Sequence, residues 1–528
     1  MLESVGDLLR SVIQSGLRKV VPLCGALALS AGSFPANAAD DIPVPSSQAI
    51  RLVGNEARSL DGRQTIAPVT IRDDLGQADF AVGLSFETES TGTHDLGDLV
   101  SLWDARTRHG FTLGLRNNTG VTTSQPNWRQ LQFGIDAGTE PEWKNEGRPG
   151  SAILGFSIAV HGGQLYVGTC EVGDDSVGKV YRYLGPGRWQ ALKPLDGSNS
   201  VTALAAFNGS LYAGTGKYRL AGSSLAESQN PAFGGKVFRL TDDDDWELVG
   251  DLAPTEAIAG FVTYGGKLYA SSLYKPAGFF RYDGGTDWTP ILTPDSRRVE
   301  SMVVHDGALY AGSYDSGAVY RFDGTSWTDL GLVAADITQT YSFVTYQNAL
   351  HVSTWPAGKV YRLDDGNRWT DCGRLGNEQE VMAMLIHNGS FYAGTLPGGQ
   401  VYRYAGATDW TLLKQIDQTP DVRFRRVWTM ATFQGRLFST TLPSGNVWSM
   451  SAGHLVTDDR ELGPGWHDVV AQRKSGRLRI FVDGRKVAES DAPPLGLKTG
   501  GLELKLGDGP RGQFRGQVRN AWFDPGKP

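Results

Sequence analysis

Seven times between Phe156 and Met450 the chain repeats one alternation: an apolar stretch, a short polar turn, Leu-Tyr-Ala-Gly-Thr or a variant, then Val-Tyr-Arg-Tyr or a variant. In six copies a Trp-containing segment follows. Apolar and polar positions alternate with period two inside each stretch, the mark of strands with one buried face. The fourth copy, Ser301 to Gly331, carries every piece, so each copy predicts four antiparallel strands, a to d. The turns from a to b include His161-Gly162-Gly163, Asn208-Gly209, Gly265-Gly266, Asp306-Gly307 and Asn388-Gly389. Glycine there supplies the positive φ of a tight hairpin.

The anchor residue of strand b recurs as Tyr166, Tyr212, Tyr269, Tyr310, His351, Tyr392 and Phe438, in steps of 46, 57, 41, 41, 41 and 46 residues. That period matches the roughly 40 to 50 residues of one four-stranded blade, so the repeats predict a seven-bladed β-propeller over 141–453. Trp189, Trp246, Trp288, Trp327, Trp369 and Trp410 are expected to pack between neighbouring blades. The seventh copy lacks its Trp strand. Upstream of the first copy, Trp143 to Gly147 resembles Trp327 to Gly331, so 141–147 is expected to supply the missing outer strand and close the ring.

Both flanks also read as strands. Asp79–Phe86, Leu99–Asp104, Gly110–Leu115 and Leu131–Ile135 precede the repeats, and Trp466–Ala471, Leu478–Val487, Leu502–Gly507 and Phe514–Val518 follow them. Neither set is large enough to close a sandwich alone, so 45–138 and 455–528 are expected to pool. The predicted fold is all-β: a seven-bladed propeller inserted into a discontinuous jelly-roll sandwich.

Two resemblances sharpen this. The Trp103-Asp104 strand end, the Gly110-Phe111 strand, Gly465-Trp466-His467, the Asp483-Gly484 hairpin and Phe514-x-Gly516 together resemble concanavalin A-like, laminin-G-type sandwiches. That resemblance implies calcium as a cofactor, with no ligands that the sequence nominates. In strands b to d, with Tyr320 and Trp327 at the matching spacing, the blades are similar to kelch repeats. They depart from them by having Gly168-Thr169, Gly214-Thr215, Gly312-Ser313 and Gly394-Thr395 where kelch carries Gly-Gly. The Asp-box motif of sialidases, which also join propellers to such sandwiches, is absent.

Composition narrows the function classes. Charged residues are 20% of 528 and the net charge is −7, with no basic excess to hold nucleic acid. Arg18-Lys19, the apolar run Val20 to Ala31 and the small residues Pro35 to Ala38 read as an export signal over 1–38, which predicts a periplasmic or extracellular protein. Cys24 offers a lipid-anchor reading, against which the bulky Leu23 counts. No other apolar run reaches the ~20 residues of a membrane span. After the leader only Cys170 and Cys372 remain, in repeats too far apart for a disulfide.

Candidate chemistry falls on the loops from b to c and from d to a, which open on one face of a propeller around its axis. Strand b ends on a hydroxyl in every copy: Thr169, Thr215, Ser272, Ser313, Thr354, Thr395 and Thr441. A group that repeats seven times is expected to tether backbone. Specific function belongs to positions that do not repeat. Lys217, Tyr218, Tyr274, Lys275, Tyr314, Trp355 and Trp428 are candidate ligand contacts, since aromatic faces beside polar groups suit sugar rings. Glu300, Tyr341, Glu171, Asp315, Arg298 and Arg426 are candidate catalytic groups, with Glu380 beside them. Paired carboxylates serve glycoside hydrolysis; a tyrosine with an arginine serves a polysaccharide lyase. The b-to-c loop of the second copy, Lys217 to Gly235, is far longer than its counterparts, as lids and binding loops are.

Three functions remain. The first is an exported carbohydrate-binding protein with its glycan at the propeller mouth, the sandwich or both. The second is a carbohydrate-active enzyme, lyase or hydrolase, on the same face. The third is a protein-interaction scaffold, since fold alone does not fix function.

Overall fold

The computed structural model describes residues 42–61, 66–89, 96–116, 128–173 and 176–526. The expected export segment lies outside them. The described chain is all-β, with three 3-10 turns and no α-helix. None of its helices is long and apolar enough to cross a membrane.

Seven antiparallel four-strand units follow one another from Leu154 onward, each in strand order a-b-c-d; the last five are separate sheets, and the first two join into one eight-stranded sheet through Cys170↔Ser200. Their inner strands a are Leu154–His161, Ser200–Phe207, Ile258–Tyr264, Met302–His305, Gln339–Tyr346, Glu380–His387 and Arg426–Phe433. Each touches the next, and the seventh touches the first, so the sheets run in a ring. In the seventh sheet, Arg426–Phe433, Arg436–Leu442 and Val447–Ser451 are completed by Glu142–Asn145, paired from Trp448↔Asn145 to Ser451↔Glu142. The outer strand of the last sheet therefore precedes the first sheet in sequence.

The aromatic residues of strands b, c and d fill the spaces between sheets. Phe322 is fully buried against Tyr269, Phe279 and Trp327, with ring centroids 4.8 to 6.0 Å apart. Each such ring contributes about 1.5–3 kcal/mol by burial. The six repeat tryptophans are half-buried, and several bridge sheets by hydrogen bonds: Trp189 Nε1 donates to Glu146 O at 3.0 Å, Trp288 Nε1 to Val249 O at 2.9 Å and Trp410 Nε1 to Cys372 O at 2.9 Å.

A glycine stands just before strand c in every sheet: Gly178, Gly235, Gly278, Gly317, Gly358, Gly399 and Gly445. Its role is close approach. A Cβ on Gly445 would lie 1.8 Å from Ala152 O, and one on Gly235 1.8 Å from Thr255 O. The b-to-c loops are thus pressed against the neighbouring d-to-a loops by residues without side chains.

The flanking segments form two further sheets. One orders Ile50–Arg51, Gly516–Asp524, Phe80–Thr88, Gly465–Lys474, Arg477–Val482 and Arg485–Asp491, with Arg58–Leu60 also on Gly516–Asp524. The other orders Val69–Thr70, Glu503–Leu506, Asp98–Asp104, His109–Arg116, Gln130–Ala137 and His454–Asp458. Both are built from the two flanks together, and they share one apolar core through Phe80, Phe86, Phe111, Phe133 and Phe523. The last strand starts at Gly516, two residues later than the sequence pattern places it.

This pair of sheets lies against the a-to-b turns of the ring. Asn388 Nδ2 donates to Ile135 O and Ala452 O, Gly163 N donates to Asp459 O, and Gln347 N donates to Pro510 O. Gln130 Nε2 donates to Thr432 O. The opposite face, carrying the b-to-c and d-to-a loops, holds the residues singled out for chemistry.

Candidate functional site

The seven strand-b hydroxyls tether backbone. Thr169, Thr354, Thr395 and Thr441 donate to the carbonyls of Lys179, Lys359, Gln400 and Asn446 at 2.8 to 3.1 Å. Thr215 donates to Asp196, and Ser272 and Ser313 accept the N–H groups of Gly278 and Asp315.

Most non-repeating candidates come together. Tyr218, Tyr341 and Trp428 are buried with Phe156, Cys170, Leu220 and Met382 in one cluster, and Tyr274, Tyr314 and Trp355 pack half-buried against it. The period-two register of the inner strands explains the layering: Glu300, Glu380 and Arg426 stand at the loop end, and Tyr341, Met382 and Trp428 sit near them, two residues further along their strands or one step beyond. Phe156 and Trp428 have ring centroids 4.8 Å apart, Tyr314 and Tyr341 4.6 Å.

The charges at this end are mutually paired. Arg298 Nη2 lies 2.8 Å from Asp315 Oδ1 and its Nη1 3.2 Å from Glu300 Oε1; Arg426 Nε lies 3.5 Å from Glu380 Oε1. Lys275 is 3.8 Å from Asp315. Burial pushes the Glu300 carboxyl well above its ordinary value, against the opposing pull of Arg298, and raises that of Glu380 against Arg426. The Tyr314 and Tyr341 hydroxyls are pushed up by burial and by neighbouring acids. Burial alone would raise Asp315, but hydrogen bonds from Arg298 outweigh it and hold the carboxyl low. Burial also lifts the Cys170 thiol to about 12, so it stays protonated.

Two candidates stand apart. Glu171 is buried, but it accepts from Ser151 Oγ at 2.5 Å and Thr169 Oγ1 at 3.2 Å, between sheets. Its neighbour Cys170 takes the inward position, and strand alternation turns Glu171 away from the axis. Lys217 lies over the Phe233 ring at 5.6 Å rather than against the aromatic cluster.

The expected mouth is occupied. The long loop of the second sheet crosses it, and its 3-10 turn Leu220–Ser223 buries Leu220 and Ser223 completely or nearly so. Arg426 Nη1 donates to Ser223 Oγ, which also shares a 2.5 Å hydrogen bond with the Tyr218 hydroxyl. Loop length in the sequence points to this segment, but nothing there distinguishes Leu220 and Ser223, the two residues that insert while Ala221 and Gly222 stay exposed.

Among the described residues no three His, Cys, Asp or Glu side chains come together as ion ligands. His161, His305 and His387 lie at separate a-to-b turns. Cys170 and Cys372 are free thiols.

No protein-family profile matches this chain, and no curated protein does. Among solved structures it is similar to a catalytically inactive virginiamycin B lyase from Staphylococcus aureus bound to quinupristin, at 12% identity and TM-score 0.46 over 59% of this chain and 99% of that one. It is similar to the extracellular domain of a hybrid two-component system from B. thetaiotaomicron at 13% identity and TM-score 0.45, over 66% of this chain and 46% of that one. The WD40 β-propeller domain of Doa1 follows at 11% identity and TM-score 0.43, over 58% of this chain and 97% of that one. Nothing of their ligands or chemistry is carried over.

Proposed function

We propose that this protein is an exported carbohydrate-recognition protein. Its ring of sheets is read as a seven-bladed, kelch-like propeller over 141–453, carried in a discontinuous concanavalin A-like sandwich of 45–138 and 455–528. The glycan is held on the loop face. The observation that carries this reading is the row of half-buried rings Tyr274, Tyr314 and Trp355 on one apolar cluster, beside arginines that are already committed to acids. Aromatic faces take the C–H side of a sugar ring. Arg298 and Arg426 are already paired with acids, which disfavours selection of a carboxylated or sulfated ring by these two cations.

A second reading, a carbohydrate-active enzyme at the same place, draws on the two buried carboxyls Glu300 and Glu380, whose proton affinity burial raises against the pull of Arg298 and Arg426. A raised carboxyl is what a general acid needs.

One screen separates the two. Neutral and anionic polysaccharides are measured for binding, and the mixtures are assayed for new reducing ends and for absorbance of unsaturated ends. Saturable binding of a neutral glycan without product supports recognition, and Trp355→Ala should weaken it about tenfold. Products that disappear in Glu300→Gln would replace recognition by catalysis.

A further inference from the structure

We propose that the Leu220–Ser223 turn is an internal occupant of an inner binding subsite, and that the subsite it vacates takes a neutral, polyhydroxylated ring. This deepens the recognition reading and rests on it. The turn is a plug by its contacts: Leu220 is fully buried in the axial cluster beside Phe156 and Trp428, and Ser223 is 1% exposed. Its hydroxyl accepts from the Arg426 guanidinium and meets the Tyr218 hydroxyl, which is how one hydroxyl of a sugar would be held. An apolar face over aromatic rings with a hydroxyl on a buried arginine is the surface of a pyranose in miniature.

Beside the turn, buried polar atoms have unmet capacity. Glu300 Oε1, Glu380 Oε1, Arg426 Nε and Trp428 Nε1 are buried without a hydrogen-bond partner, although Glu300 Oε1 lies 3.2 Å from Arg298 Nη1 and Glu380 Oε1 3.5 Å from Arg426 Nε. Buried polar atoms in this state are costly, and ligand hydroxyls would satisfy them. Charge favours a neutral ligand: three acids, Glu300, Glu380 and Asp315, face Arg298, Arg426 and Lys275.

The turn is held by a latch on its exposed side. Arg219 pairs with Glu256, lies over the Tyr274 ring at 4.4 Å, and donates its N–H to the Tyr274 hydroxyl at 2.9 Å. Glu227 accepts the N–H groups of Leu220 and Ala221 at 3.1 and 2.7 Å. The base of the loop is pinned separately, by Asn199 on Tyr218 and by Asn230 on Ser176 and Gly197. Releasing the latch would therefore free the tip and leave the base in place.

The test uses the full chain and the variant Arg219→Ala/Glu227→Ala. Cys170 lies in the cluster under the turn, whereas Cys372 lies between the fifth and sixth sheets, so the two thiols report the plug and the ring separately. N-ethylmaleimide modification, mapped by mass spectrometry, should speed about tenfold at Cys170 for the loss of a surface ion pair and a cation–π contact, and stay unchanged at Cys372. Equal rates at Cys170, or a parallel rise at both thiols, would overturn the plug. In parallel, cellohexaose, mannohexaose and hexagalacturonate are titrated into both proteins. A neutral hexaose should bind about tenfold tighter to the variant, a 1.4 kcal/mol gain. A gain confined to hexagalacturonate, or binding of no hexaose, overturns the ligand class. Failure of the whole recognition reading shows as no polysaccharide binding by the wild type, and the thiol rates decide the plug independently of that.

Discussion

Glu146 ties the ring shut, and its removal should cost more than any surface residue of its kind. The side chain is 1% exposed and accepts from the Tyr183 hydroxyl of the first sheet at 2.5 Å and from Ser449 Oγ of the seventh at 2.6 Å. Its carbonyl accepts Trp189 Nε1 and Gly187 N, both at 3.0 Å. Glu146→Ala leaves two buried hydroxyls without an acceptor, each worth about 1–3 kcal/mol, so a loss of about 4 kcal/mol is expected. For a unit this large a kilocalorie moves Tm by about 2 °C or less, so the midpoint should fall by about 5 °C. Glu146→Gln keeps an acceptor and a donor for rotatable hydroxyls and should lose about 1 kcal/mol. Thermal unfolding followed by tryptophan fluorescence suits the question, because Trp189 sits on the Glu146 carbonyl. A Tm for Glu146→Ala within 1 °C of wild type would refute the claim that this carboxylate closes the ring. So would equal losses for Ala and Gln, which would assign the effect to charge.

Three further outcomes are expected. Asp459 accepts from Gln434 N, Thr457 Oγ1 and Gln130 Nε2 where the sandwich meets the ring, and burial raises its carboxyl to about 6 from an ordinary 3.8. The folded state then binds the extra proton between those values, so this group's stability contribution is fullest below about 4 and is lost as pH rises through about 6; Asp459→Asn should flatten that slope in Tm measured from pH 4 to pH 7. Gly445→Ala should destabilise far more than Gly209→Ala, because both have positive φ but only the first would drive a Cβ to 1.8 Å from a backbone oxygen; urea unfolding of the two variants compares them directly. Trp355→Ala should weaken glycan binding by about tenfold or more, the worth of one stacked ring, with Tm unchanged within 1–2 °C; a large Tm loss would place Trp355 in the core instead.

What the sequence could say depended on whether a signal repeats. The inner-strand alternation and the Leu-Tyr anchors repeat, and the strands lie where that pattern puts them, as do the strand-b hydroxyls that tether the loops. Of the two candidates that stand apart, Glu171 departs for a local reason: it is one position past Cys170, and parity alone decides which of the two faces the axis. The recurring glycine before strand c was visible but unread, since a glycine in a loop reads as a turn until its neighbour's carbonyl is known to lie against it. Asn388-Gly389 likewise reads as a solvent hairpin, yet Asn388 is 4% exposed and donates to the carbonyls of Ile135 in a flanking sheet and Ala452 in the link that leads to it. Turn chemistry is the same whichever surface covers it. The plug is the least legible feature, because two residues of a 19-residue loop, Leu220 and Ser223, are selected by shape and by one arginine more than 200 positions away.

Phe80–Thr88 pairs with Gly465–Lys474, and Glu142–Asn145 with Val447–Ser451, so two of the earliest strands to leave the ribosome wait for partners translated more than 300 residues later. At about 5–20 residues per second that delay is some tens of seconds. Through it, apolar edges such as Phe80, Val82, Leu84 and Phe86 have no mate, and the intervening repeats must acquire their shape beside an unpaired, aggregation-prone ribbon. Nascent-chain handling, by a holdase or by slow elongation, is therefore a requirement that the topology itself imposes.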